Sequence, residues 1–203
     1  MSRPLKQKAL FLSYFTVAYN ILEGLISLFA GYLAGSIALV GFGLDSFVES
    51  LSGGVMIWRF RRHPELSAAQ EERLENQAVK IVGITFLVLA AYVCYESLEK
   101  LYLKQAPAPS LLGIIIATVY LLIMPLLFHL KHRTGKSLNS PSLMADARQT
   151  LACAFLSLAL LVGLGLNYLY GLWQADPVIG LVIVIFLVRE GHEALTTKKL
   201  CCC

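Results

Sequence analysis

The amino-acid sequence predicts an all-α, polytopic membrane protein with six transmembrane helices and with both termini in the cytoplasm. Three observations indicate this fold: an apolar composition, apolar residues gathered into long blocks, and basic residues concentrated in alternate connections. Of the 203 residues, 57% are hydrophobic and only 15% are charged, whereas a soluble domain carries about 25% charged residues. Such a chain cannot cover a globular surface with polar side chains, and no soluble catalytic domain fits beside the apolar blocks.

Six blocks approach the roughly 20 residues that a bilayer-spanning helix needs. The predicted spans are 9–32, 36–58, 79–101, 110–130, 142–166 and 176–195. Residues that break or start helices separate them: Gly35 lies between the first two spans, Pro141 precedes the fifth, and Asp176 opens the sixth together with a proline. The first block lacks a small-residue cleavage site, so we interpret it as a retained span rather than a signal peptide.

Basic residues mark the connections that we predict to be cytoplasmic. They are Arg3, Lys6 and Lys8 before the first span, Arg59, Arg61, Arg62, Arg73 and Lys80 between the second and third, Lys131, Arg133 and Lys136 between the fourth and fifth, and Arg189, Lys198 and Lys199 at the end. The opposite side has only Lys100 and Lys104. The positive-inside rule then predicts a basic cytoplasmic N-terminus (1–8), a transmembrane domain (9–195) and a short cytoplasmic tail (196–203). The net charge of +4 is spread over these flanks, which argues against a nucleic-acid partner; in a bacterium the plasma (inner) membrane would hold the chain.

Two carboxylates interrupt the second predicted helix. Asp45 and Glu49 are four residues apart and therefore share one face. We expect Asp45 near the centre of the bilayer and Glu49 one turn nearer the cytoplasm, and no Lys or Arg lies within the same predicted helix to neutralise them. An ionised side chain at that depth costs about 2.5–3.5 kcal/mol on insertion scales. The pair therefore indicates a cation that passes through the membrane; the alternative is that both acids are protonated or hydrogen-bond to other helices as structural groups.

The fifth predicted helix carries a second polar pair, Gln149 and Cys153, again four residues apart. This helix runs outward, so we expect Gln149 at the depth of Glu49 and Cys153 at the depth of Asp45. Carboxylates and a thiolate are good ligands for Zn²⁺, whereas an amide oxygen is a weak one. Cys153 taken alone would be interpreted as core packing, because free cysteines are commonly buried.

Three further polar residues lie inside or beside the predicted spans. Asn20 and Glu23 of the first helix either extend an ion path or hydrogen-bond to neighbouring helices. Asp146 lies in the first turns of the fifth helix, where we expect an ion pair rather than a ligand.

The glycines predicted to allow close contact between helices are Gly24, Gly31, Gly163 and Gly165.

Four motifs make the sequence resemble the cation diffusion facilitator, or cation efflux, family. They are Gly35-Ser36-Ile37-Ala38-Leu39 at the start of the second helix, Gly43-Leu44-Asp45-Ser46-Phe47-Val48-Glu49-Ser50 within it, Ala145-Asp146 in the fifth and Ala175-Asp176-Pro177 before the sixth. The resemblance extends across all six spans. It implies a secondary transporter, not an enzyme, that exports a divalent metal cation from the cytoplasm in exchange for protons. It further implies a homodimer in the lipid bilayer. No permanently bound cofactor is expected, and zinc is the metal that we most expect to be transported.

The chain departs from the family pattern in two places. The family's second-helix acids bind metal together with a His and an Asp on the fifth helix, and alignment through Asp146 puts Gln149 and Cys153 at those positions. Softer ligands favour Zn²⁺, Cd²⁺ or Cu(I) over Mn²⁺. About eight residues follow the last span, so we expect no appended cytoplasmic domain, and the terminal Cys201-Cys202-Cys203 could capture metal, be acylated or form an inert tail. A non-transporting metal-binding subunit or sensor is therefore the alternative function.

Overall fold

The structure, a computed structural model, describes residues 3–61, 68–138 and 140–197. Within these ranges the chain forms six α-helices and no strand, which confirms the all-α prediction. The helices are α1 (Arg3–Ala34), α2 (Ile37–Phe60), α3 (Ala68–Leu103), α4 (Leu111–Ser137), α5 (Pro141–Tyr170) and α6 (Ala175–Thr197). The terminal cysteine triplet lies outside the described residues.

Each helix corresponds to one predicted span, and several extend beyond it. Helix α3 begins at Ala68 rather than at residue 79, and α4 ends at Ser137 rather than at residue 130. Hydropathy marks only the part of a helix that faces apolar surroundings, whereas the backbone hydrogen bonds continue through polar residues. Three helical segments are long and apolar enough to cross a membrane by length and composition: Leu5–Ala34, Leu111–Ser137 and Asp146–Tyr170. The number of six spans and the side on which the termini lie stay predictions.

Serine caps fix where three of the helices begin. Ser36, Ser110 and Ser140 have extended backbones, and each hydroxyl oxygen accepts a hydrogen bond from the backbone N–H three residues later, at 3.1, 3.0 and 3.5 Å respectively. The chain turns before α2 at Gly35, whose φ of +63° is favourable for glycine. The predicted break between the first two helices is therefore confirmed.

Helix α2 lies at the centre of the bundle. It packs most extensively against α1 and also contacts α3, α5 and α6, while α4 pairs with α5 and α3 with α6. One cluster of buried apolar side chains has members from all six helices. The outward faces carry many exposed large apolar side chains, as a bundle surrounded by lipid requires. Residues on the inner face of α2 therefore meet side chains from several helices.

Close helix contacts occur at three of the four predicted glycines. A Cβ on Gly24 would lie 2.9 Å from the carbonyl oxygen of Gly43, and one on Gly31 or Gly163 would lie 2.8 or 2.6 Å from atoms of the facing helix. The prediction for Gly165 is wrong, because nothing lies within 4 Å of a Cβ at that position. Two residues apart on a helix, Gly163 and Gly165 point to different sides, so both cannot face one neighbour.

The α1–α2, α3–α4 and α5–α6 connections meet at one end of the bundle. The Ala108 backbone N–H donates to the Ala34 carbonyl at 2.7 Å, and Asn167 Nδ2 donates to the Pro107 carbonyl at 3.2 Å. We refer to this end as the Gly35 end and to the other, where Ser137 lies, as the Ser137 end.

Asp176 holds the start of α2 at the Gly35 end. Its carboxylate accepts hydrogen bonds from the Ser36 hydroxyl and, at 2.9 Å, from the Ile37 backbone N–H. The acid that opens α6 therefore also caps a different helix. Lys100 of α3 donates to the Gly35 carbonyl beside it, so α2, α3 and α6 are tied together at this end.

Candidate metal site

The two acids of α2 face the interior of the bundle. Asp45 and Glu49 are only 2% and 1% exposed, so neither carboxylate points to lipid. Cys153 of α5 is equally buried, and its Sγ donates a hydrogen bond to Asp45 Oδ2 at 3.6 Å. The predicted equal depth of Asp45 and Cys153 is confirmed, while their role as ligands stays a prediction.

The spacing of this pair matches what a tetrahedral zinc ion needs. With Zn–S of about 2.3 Å and Zn–O of about 2.0 Å, two ligand atoms on a tetrahedral ion are about 3.5 Å apart. The Sγ of Cys153 and Oδ2 of Asp45 are 3.6 Å apart. The separation of these two atoms is therefore compatible with two ligands of one tetrahedral ion.

Glu49 is engaged with other partners. Its carboxylate accepts hydrogen bonds from Tyr120 Oη at 2.8 Å and from Thr150 Oγ1 at 3.0 Å. Among the residues that the structure describes, no three His, Cys, Asp or Glu side chains converge closely enough to hold a metal ion. A site that includes Glu49 therefore forms only if this carboxylate exchanges its two hydrogen bonds for the ion.

Gln149 is buried on the same face of α5 as Cys153, at the level of Glu49. Its Oε1 has no hydrogen-bond partner within the described part of the chain. The neighbouring Thr150, which the sequence analysis did not consider, is the residue that contacts Glu49. An amide oxygen without a partner in the interior is free to turn toward an ion.

Asn20 and Glu23 of α1 lie beside the site rather than in contact with Asp45. Tyr120 Oη is 3.5 Å from Asn20 Oδ1, and Glu23 Oε1 accepts a hydrogen bond from Ser27 at 2.5 Å. Glu23 Oε2 and Asn20 Nδ2 have no partner among the described residues. Tyr120 thus connects the polar residues of α1 with Glu49, and either expectation for Asn20 and Glu23 stays open.

Asp146 forms the expected ion pair, but its partner, Lys131, lies inside a helix rather than in a connection. Its Oδ2 lies 2.9 Å from Lys131 Nζ, and Ser52 donates to Oδ1 at 3.4 Å. Lys131 was predicted to lie in a cytoplasmic connection; the structure places it within α4, fully buried. The prediction is wrong because α4 continues past residue 130. The sequence did contain a sign that Lys131 is buried. Tyr120 and Leu127 lie on the buried face of α4, and Lys131 follows Leu127 by four residues, which places it on the same face.

The interior of the bundle is strongly acidic. Its buried carboxylates are Glu23, Asp45, Glu49, Asp146, Asp176 and Glu190. Glu23, Glu49 and Glu190 lie close enough to Asp45 for their charges to repel it, and the sequence analysis overlooked Glu190 because it stands beside Arg189 near the end of the last span. Among the Lys and Arg side chains whose burial the structure describes, Lys131 is the one that is buried. An interior of this composition requires protons or other cations.

Long helices with apolar outer faces around a set of buried carboxylates define a multi-pass integral membrane protein with an acidic interior. The sequence model of the cation efflux transmembrane domain matches residues 13–197. The chain therefore belongs to the cation efflux family, and the resemblance stated above is confirmed. Members of this family transport metal cations and are not enzymes.

The chain is also similar to several characterised and uncharacterised proteins. It is 21% identical over 191 residues to Transmembrane protein 163 of Xenopus laevis, covering 94% of this chain and 67% of the relative. It is 25% identical over 196 residues to an uncharacterized transporter of Methanocaldococcus jannaschii, of which it covers 68%. It is 26% identical over 172 residues to the magnetosome protein MamB of Paramagnetospirillum magneticum, covering 83% of this chain and 58% of the relative.

Proposed function

We propose that this protein is a secondary transporter that exports a divalent metal cation, zinc foremost, from the cytoplasm in exchange for protons. Membership of the cation efflux family supports cation transport. The observation that carries the choice of metal is the contact of Asp45 with Cys153, because one carboxylate and one thiol at 3.6 Å suit a borderline-soft tetrahedral ion.

The cargo binds between Asp45 and Cys153 and recruits the other two candidate ligands. Glu49 leaves Tyr120 and Thr150 to become the third ligand, since a divalent ion attracts a carboxylate more strongly than two neutral hydroxyl groups do. Gln149 supplies its unpartnered Oε1 as a weak fourth ligand. Because Glu49 must change partners, binding is coupled to a change in the contacts among α2, α4 and α5.

Proton exchange follows from competition at the same groups. A thiol must lose its proton to bind zinc, and in the metal-free protein the Cys153 thiol keeps its proton and donates a hydrogen bond to Asp45. Protons that reach Asp45, Glu49 or Cys153 therefore displace the metal, and movement of helices relative to one another exposes the site to alternate sides of the membrane. A homodimer is part of this proposal.

The test is metal uptake into proteoliposomes that contain the full chain. With a pH gradient across the vesicle membrane, we expect an internal fluorescent indicator to report Zn²⁺ and Cd²⁺ entry. The Asp45→Asn variant should reduce the flux to that of protein-free vesicles while still inserting and folding, because the amide cannot carry the negative ligand charge. Glu99→Gln makes the same chemical change near the Gly35 end of α3 and should transport normally. Undiminished flux in Asp45→Asn would refute the assignment.

A non-transporting metal-binding subunit or sensor is the second candidate function. The observation that favours it is the engagement of Glu49 by two internal donors, Tyr120 and Thr150. The same vesicles discriminate between the two functions. Saturable Cd²⁺ binding that depends on Asp45, without any accumulation of metal under the pH gradient, would support the sensor.

A further inference from the structure

Lys131 occupies a position that is costly for a lysine in a membrane protein. Its side chain has no exposed surface, and no other Lys or Arg whose burial the structure describes is buried. A buried ammonium group destabilises a protein unless it is paired with an opposite charge and hydrogen-bonded. The partners of Lys131 therefore indicate what it does.

Those partners lie one turn apart on α5. Lys131 Nζ is 2.9 Å from Asp146 Oδ2 and donates a hydrogen bond to Thr150 Oγ1 at 2.9 Å. Asp146 in turn accepts from Ser52 of α2 at 3.4 Å. Lys131 thus joins α4 to α5, in a polar layer on the Ser137 side of the candidate metal site.

The same lysine is linked to the site through Thr150. Lys131 donates to Thr150 Oγ1, and the single hydroxyl proton of Thr150 faces two acceptors, Glu49 Oε1 at 3.0 Å and the Asp146 backbone carbonyl at 3.1 Å. The ammonium nitrogen therefore lies within about 6 Å of the Glu49 carboxylate, where two unit charges interact strongly in a protein interior. A metal ion held by Glu49 would experience repulsion from the same ammonium group.

We propose that Lys131 is a tethered counter-cation of the candidate metal site, which pairs with Asp146 and offsets part of the negative charge of Glu49 in the metal-free protein, and which lowers the affinity of the site for its cargo. The inference rests on the proposed function. When a metal ion draws Glu49 away from Thr150, Lys131 remains paired with Asp146 alone. Lys131 is thus a positioning residue that favours release of the ion, not a ligand.

The test uses Lys131→Gln, which keeps a hydrogen-bond donor and removes the charge. We expect the dissociation constant for Cd²⁺, measured by titration calorimetry on the purified full chain, to fall by about tenfold or more because the repulsion is lost. In proteoliposomes KM and kcat for Cd²⁺ should fall together, since tighter binding slows release. Lys131→Arg keeps the charge and should bind like the wild type. Lys136→Gln, at an exposed position of the same helix, is the matched control and should change neither constant.

A purely structural role for Lys131 gives the opposite result. A folded Lys131→Gln protein, monodisperse and with the wild-type circular dichroism spectrum, would then bind Cd²⁺ with an unchanged or higher dissociation constant, and the inference would be overturned. If Lys131→Gln does not fold, the double variant Lys131→Gln, Asp146→Asn removes both members of the buried ion pair. A smaller fall in its dissociation constant is expected, because the attraction of Asp146 for the ion is lost together with the repulsion from Lys131; an unchanged or higher dissociation constant overturns the inference.

Asp45→Asn separates this inference from the proposed function. If wild-type Cd²⁺ binding does not depend on Asp45, the proposed function fails and the role of Lys131 fails with it. If binding depends on Asp45 but Lys131→Gln leaves the dissociation constant unchanged, only the role of Lys131 fails. Tighter binding by Lys131→Gln together with dependence on Asp45 supports both.

Discussion

The thiol of Cys153 gives the candidate site a chemical preference that carboxylates alone would not give. Sulfur donors favour borderline and soft ions, whereas oxygen donors suit Mn²⁺ as well. Replacing Cys153 by Ser keeps the size and the hydrogen-bonding ability of the side chain but removes the soft donor. We therefore expect Cys153→Ser to reduce Cd²⁺ flux by about tenfold or more and to change Mn²⁺ flux by less than about twofold. Parallel flux measurements with both ions in proteoliposomes check this.

Cys94 provides the matched control for this prediction. It is a free cysteine on α3, partly buried, and Cys94→Ser should leave the ratio of Cd²⁺ to Mn²⁺ flux unchanged. Equal losses for both ions in Cys153→Ser would mean that Cys153 contributes packing to the site and not a ligand.

The sequence predicts which individual side chains face the interior of the bundle where polar residues recur at helical spacing. The spacing of Asp45 and Glu49 places them on one helix face, and the cost of exposing two carboxylates to lipid decides which face is buried. Tyr120 could not be assigned to Glu49 in the same way, because nothing in a single sequence says which helix lies opposite α2. Lys131 was assigned to a connection because its charge was taken as the end of an apolar block.

At the scale of the helices, the start of α2 depends on a residue from another helix. Asp176 of α6 accepts hydrogen bonds from both the Ser36 hydroxyl and the Ile37 N–H. The Gly-Ser and Ala-Asp-Pro motifs, which are about 140 residues apart in the sequence, are thus two halves of one cap. This arrangement orients α2, which carries Asp45 and Glu49, relative to α6.

A double-mutant cycle measures this coupling. We expect Ser36→Ala and Asp176→Ala each to lower the free energy of unfolding by about 1–2 kcal/mol, through loss of a cap and of hydrogen bonds to a carboxylate. Together they should cost at least about 0.5 kcal/mol less than the sum, since the two residues share one interaction. Equilibrium unfolding in detergent by circular dichroism provides the values. Ser110→Ala removes the cap of α4 and should add to Asp176→Ala without coupling; an additive Ser36–Asp176 pair would contradict the shared cap.

The helix boundaries show which parts of the elements the sequence could predict. Ser36, Ser110 and Pro141 mark starts that local chemistry determines, and these agree with the structure to within one residue. The start of α3 at Ala68 and the end of α4 at Ser137 could not be found from apolar blocks. In both segments the helix continues through polar residues, which hydropathy does not detect.

For the whole molecule, the two ends of the bundle differ in their connections. The Gly35 end holds the α1–α2, α3–α4 and α5–α6 connections, as the Ala108–Ala34 and Asn167–Pro107 hydrogen bonds show. At the Ser137 end, Ala9, Met56 and Leu143 form a separate apolar cluster of residues from α1, α2 and α5. Consecutive helices therefore run in opposite directions, as six spans would require.

The charge distribution predicts which end faces the cytoplasm. Most basic residues belong to the Ser137 end, so the positive-inside rule places that end and both termini inside. In a cysteine-free background expressed in bacteria, a membrane-impermeant maleimide should label Ala106→Cys in intact cells and Ser137→Cys only after lysis; both positions are exposed. Labelling of Ser137→Cys alone in intact cells would reverse the orientation and turn the proposed export into uptake, whereas labelling of both would refute a bundle whose two ends lie on opposite sides of the membrane.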